Sequence, residues 1–129
     1  MGLFHYYDIT HAEVFVFDDF LIKQMREGFT ISYQETEEFI AILNHHFKNK
    51  NMVYISNRVT NYSIDPAIYK EAEKISNLLA IAVIPGNKKM RDTAEYEKQF
   101  YKKPFSIFEN LTEAIKWVRV IIDKENQKA

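Results

Sequence analysis

The chain has no cysteine, which excludes disulfide bonds, thiolate metal ligands and cysteine nucleophiles together. It has only three glycines and three prolines in 129 residues. No P-loop, G-x-G-x-x-G or G-x-S-x-G pattern occurs, so phosphate cradles and nucleophile elbows of those kinds are absent. There is no Pro/Gly/Ser-rich linker, internal repeat or low-complexity tract. The longest apolar run, Leu78 to Pro85, falls well short of the roughly 20 residues a membrane helix needs. The opening MGLFHYYDIT lacks the basic start and long apolar centre of a secretory signal, so a cytoplasmic location is expected. Neither sign of charge dominates. Lys+Arg number 17 against Asp+Glu 18, for a net charge of -1 with the signs interspersed, and no nucleic-acid partner is expected.

What is present is apolar and aromatic material, 47% and 15% of residues, which is enough for the core of one domain. The chain reads as a β-rich segment over 1–30, an alternating β/α core over 31–124, and a frayed tail over 125–129. LFHYYDI reads as a strand and THAE as a polar turn; Val14–Phe17 and Phe20–Met25 are two further β-rich runs. Ser32 and Glu35 have capping-box spacing ahead of a helix carrying Phe39, Ile40, Leu43 and Phe47. MVYIS is a buried strand. Asp65 then caps a helix with Pro66 at its first position, and Ile68, Ala72 and Ile75 lie on its inner side. LLAIAVI is apolar throughout, as in a strand covered on both faces. A polar helix with an apolar edge at Met90, Ala94 and Tyr101 precedes the strand PFSIF. Asn110 and Glu113 cap a final amphipathic helix with Leu111, Ala114, Ile115, Val118 and Ile122 inward. The expected order is βββαβαβαβα, a single α/β domain with a mixed sheet.

This order, with the stretches REGFTISYQETEEF, VYISNRVTNYSIDPAIYKEA, LLAIAVIPGNKKM and PFSIFENLTEAIKWV, resembles the STAS domain, the SpoIIAA-like fold of anti-sigma-factor antagonists. It is most similar to an uncharacterised bacterial branch of that group, over roughly residues 20 to 124. The resemblance implies a mixed sheet with helices largely on one side, and a role as a regulatory or protein-interaction module. It also implies that a Ser or Thr near the end of the second core strand is phosphorylated by a kinase partner. The nearest residue here is Ser63, with Ser56 and Thr60 behind it. The family order there, an Asp followed by Ser and then Ser or Thr, is replaced by Ser63-Ile64-Asp65-Pro66, so the acceptor motif is not intact. A likeness of this fold class to Sec14-type lipid carriers keeps a second reading open: a small-molecule or lipid-like ligand in a cleft between helices and strand ends. A small enzyme is the third.

The residues expected to form an interaction or anion loop are Asn57, Arg58, Asn61, Ser63, Asp65, Lys88 and Lys89, with Arg91 beside them. They lie at the carboxyl ends of strands, where open α/β sheets bind ligands, and basic side chains there suit an anion. Asp65, as a cap, competes for the same helix amides. No catalytic residue is assigned and no cofactor is expected. Of the histidines, His5, His11, His45 and His46, the adjacent pair lacks the spacing that shares a helix face, so no metal is expected. Phe4, Tyr6, Tyr7, Phe15, Phe17, Phe20 and Phe29 crowd the N-terminal part, and Trp117 and Ile121 flank the last helix. Their plain role is core packing; the alternative is contact with a protein partner or a second copy of the chain.

Overall fold

The structure, a computed structural model, describes residues 4–27, 30–31, 37–59 and 63–128. Its elements are β1 (His5–Ile9), β2 (Ala12–Val16), β3 (Phe20–Met25), β4 (Thr30–Ile31), α1 (Glu37–Phe47), β5 (Met52–Arg58), β6 (Ser63–Ile64), α2 (Ala67–Glu73), β7 (Leu78–Pro85), α3 (Lys88–Lys98), β8 (Phe105–Ile107) and α4 (Leu111–Asn126). The expected order is present, with two additions: the two-residue strands β4 and β6 pair with each other in a small separate sheet. The proposed Ser32–Glu35 capping box, together with Gly28, Phe29, Thr60 and Asn61, lies outside the described residues.

The main sheet runs β1-β2-β3-β5-β7-β8. The first three strands form an antiparallel meander joined by short turns; β3, β5, β7 and β8 are parallel. Strands therefore enter the sheet in chain order. Right-handed connections repeated in one direction put every crossover helix on the same face. The packing agrees: α1 and α2 lie with Val14, Val16, Leu21, Met52 and Tyr54, and α2 and α3 with Ile81, Val83 and Phe105. α4 follows the last strand, makes no crossover, and covers the opposite face against Ile22, Val53, Ile55, Ala80, Ala82 and Ile84. Three helices thus share one side and the fourth closes the other, which is why β7 is apolar on both faces.

The helix ends follow from the local sequence. The Asp65 carboxylate accepts from Ala67 N at 3.0 Å, and Pro66 already has helical dihedrals, so Asp65 acts as the cap of α2. Asn110 accepts from Glu113 N at 2.9 Å, and Asn87 accepts from Met90 N at 2.9 Å. α1 ends where Asn49 takes a left-handed conformation (φ 60), and the Asn77 amide donates to the carbonyls of Phe47 and Lys50. The inner face of α2 is centred on Tyr69, with Ile68 and Ala72 half-buried beside it.

Because Ile122 is buried against the sheet while Val120 on the same helix is exposed, Ile122→Ala should cost about 3 kcal/mol in urea unfolding and Val120→Ala less than about 0.5 kcal/mol. Equal effects would place α4 elsewhere.

Candidate functional site

The parallel pairing of β3 with β5 starts at Phe20↔Val53 and stops at Lys23↔Ser56. Both strands continue past that point. β3 stays paired to β2 as far as Met25↔Ala12, and β5 stays paired to β7 as far as Arg58↔Pro85. The sheet therefore splits between β3 and β5 at its carboxyl end. Pairing resumes at Thr30↔Ser63, with the same residue offset as at Phe20↔Val53. The split is thus tied at both ends and no register is lost across it.

Strand alternation decides which side chains flank the split. Lys23, Ser56 and Arg58 fall on the face covered by α1, α2 and α3; Gln24 and Asn57, both half-buried, fall on the other. Arg58 is 4% exposed, and its guanidinium donates to Glu97 Oε1 at 2.5 Å. Tyr69 OH donates to the same carboxylate oxygen at 2.7 Å, and Arg58 Nε lies 3.4 Å from Ser56 Oγ. Burial, with the Glu97 charge second, holds the Tyr69 phenol well above its ordinary pKa, so it stays a donor. This group ties β5, α2 and α3 together. The end of β5 is also pressed from β7: a Cβ on Gly86 would sit 2.7 Å from the Arg58 carbonyl oxygen, so glycine is required there.

Lys23 is a different kind of cation. It is 3% exposed, and its Nζ lies 4.3 Å from the centre of the Phe39 ring on α1. Among the described residues, no carboxylate pairs with it. Burial alone lowers its pKa to about 7. The native state therefore gives up this proton while the unfolded chain still holds it, so Lys23 opposes folding at and below neutrality. That penalty is relieved as pH rises from about 7 towards 10.5.

The expected loop residues divide. Arg58, expected to face an anion, is instead buried, because the Glu97 carboxylate, which also accepts from the Tyr69 hydroxyl, compensates its charge inside. Lys88 pairs with Asp92 and Arg91 with Glu109, both at the surface, so three of the four expected cations are each held by a different carboxylate. Lys89 is exposed in the first turn of α3, Asp65 is spent on its cap, and Ser63 is placed in β6 by its pairing with Thr30. Asn61 lies outside the described residues. Lys23, Tyr69 and Glu97 were not among the expected site residues, yet two had visible signals. Glu97 falls on the apolar stripe of Met90, Ala94 and Tyr101, and Lys23 interrupts the apolar strand FLIKQM.

His5, His45 and His46 gather away from the split, while His11 is buried and its carbonyl accepts from Arg26 N just after β3. His46 lies edge-on to Tyr7 and against the rings of His5 and His45. Among the described residues, no three His, Asp or Glu side chains are placed to hold a metal ion, and no helix is long and apolar enough to cross a membrane.

No protein-family model matches the chain, and no curated protein matches it. Among solved structures, it is similar to an uncharacterized protein from the DUF3478 family with a SpoIIAA-like fold, from Shewanella loihica PV-4. The TM-score is 0.58 at 13% identity, covering 92% of this chain and 97% of that one. The chain therefore has a SpoIIAA-like α/β fold; at this identity the likeness carries the fold alone.

A buried ion pair gains little net stability, but removing one partner strands the other. Arg58→Met or Glu97→Leu alone should cost about 3–5 kcal/mol in urea unfolding, and the double variant should recover most of that loss. Additive losses would mean that the two residues do not act as a pair.

Proposed function

We propose that this chain is a non-enzymatic protein-interaction module that docks by strand addition at β1, and that its partner there is a second copy of the chain. The observation that carries this reading is the difference between the two edges of the sheet. The β8 edge is blunted: it has three residues, is preceded by Pro104, and is flanked by Lys102 and Lys103. Short length, proline and lysine are the usual protections of a free edge. β1 has five residues and none of these protections.

The face beside β1 is aromatic. Phe4 stacks on Phe15 and Phe17, Phe17 stacks on Phe20, and Tyr6 lies against Phe15 while remaining 47% exposed. Antiparallel pairing of β1 with its own copy about a two-fold axis at Tyr7 would continue this strip across the axis. In that register Asp8 faces Tyr6 of the other copy, so no like charges meet, and Arg26 already pairs with Asp8 within the chain. Docking of this kind is how a module without catalytic groups would exert a regulatory effect. The 57–65 loop is the poorer docking element, because its arginine points inward.

Sedimentation velocity over a micromolar concentration series should give a species of twice 15.3 kDa. Tyr6→Lys, at an exposed position, should give a monomer that stays folded by circular dichroism and whose Tm no longer depends on concentration. A wild-type monomer throughout, or a dimer indifferent to Tyr6→Lys, contradicts the proposal.

A further inference from the structure

Among the described residues, the split between β3 and β5 holds two buried cations, Lys23 and Arg58, and one buried carboxylate, that of Glu97. Arg58 is compensated by Glu97; Lys23 has an aromatic ring on one side and, among the described residues, no acidic partner. A buried ammonium with no carboxylate beside it is costly and is retained where something else supplies the counter-charge. We propose that this split is a binding position for the oxyanion group of a small molecule, a carboxylate or a phosphate, held directly by Lys23 and Ser56 with Arg58 as a fixed cation beside it.

Three features of the fold support the position. The split lies at the carboxyl ends of parallel strands, and the sheet separates directly after Lys23↔Ser56. Beyond it, β4 and β6 pair with the same residue offset as β3 and β5. The side chains at this point of the ladder are polar on both faces of the sheet, Lys23, Ser56 and Arg58 on one and Gln24 and Asn57 on the other. An anion there would balance the charge of the buried group and give the Lys23 ammonium, a donor of up to three hydrogen bonds, an acceptor.

The groups around Lys23 set the pH response. Val14 on β2 and Phe39 on α1 do not titrate. Tyr54 on β5 lies against the same Phe39 ring, Arg58 on β5 is ion-paired to Glu97 on α3, and Tyr69 on α2 stays protonated. Burial alone brings the Lys23 amine to about 7. A bound anion favours the ammonium, so binding above that pH takes up a proton, and affinity should fall about tenfold per pH unit there.

The test is an NMR titration of the wild-type chain with inorganic phosphate and, separately, with acetate, each against sodium chloride at matched ionic strength. Saturable amide shifts centred on Lys23 and Ser56 are expected. A response to phosphate alone identifies a phosphoryl ligand; a response to acetate identifies a carboxylate. Acetate, which does not titrate in this range, reads the pH dependence if it binds; phosphate affinity corrected for its own ionisation reads it otherwise. Lys23→Met should weaken binding at least tenfold. Ser56→Ala should weaken it with Lys23 still in place, which decides the matter should Lys23→Met fail to fold. Tyr6→Lys should bind as wild type does, separating this site from the β1 edge. No saturable shift with either anion, or unchanged affinity in a folded Lys23→Met, overturns the proposal.

Discussion

The parallel pairing of β3 with β5, and the point at which it stops, is the constraint on which the rest of the helix-covered face depends. It joins the antiparallel meander to the parallel half of the sheet. Its register sets Lys23 beside Ser56 and therefore determines which polar side chains enter the interior. The same register, resumed at β4 and β6, sets where α2 begins and so where Tyr69 reaches Glu97. A one-residue slip of β3 would turn Lys23 to the α4 face, away from Ser56 and Arg58, and bring Gln24 under the three helices.

Two energetic regimes meet at that split. In the Arg58–Glu97–Tyr69 group the two charges offset each other, and the Arg58 guanidinium and the Tyr69 hydroxyl both donate to Glu97 on α3. The group contributes more to specifying how α2 and α3 sit on β5 than to net stability. Lys23 is the opposite case, a buried charge with a ring face on one side and no carboxylate partner among the described residues. Sequences depart from core-packing rules in this way at sites that do something besides fold. The open β1 edge is a second departure of the same sort, a strand left without the protections given to β8.

Much of the architecture was legible because it is encoded locally. Asp65-Pro66 and Asn110 with Glu113 announce their helices through side chains that satisfy amides two or three residues away. The unbroken apolar run of β7 announces a strand covered twice. The side on which α4 lies follows from its being the one helix that does not connect two strands. The site was less legible, because its pairings are distant. Arg58 reads as a loop cation until Glu97, 39 residues on, is seen to be its partner. β4 and β6 are two residues each, too short for any periodicity, and exist only through their pairing with each other. Lys23 and Glu97 did carry a signal, a charge on an apolar face, but spacing alone does not distinguish a buried charge from a tolerated surface one.

The account rests on Lys23 being a buried amine that no carboxylate among the described residues neutralises, and that can be read on the side chain itself. Selective labelling of lysine and observation of the Lys23 Cε and Nζ resonances across a pH series reports its titration directly. The structure predicts a midpoint near 7, set apart from the surface lysines. A midpoint close to the ordinary lysine value of 10.5 would mean that the ammonium is solvated or paired, and would contradict the account.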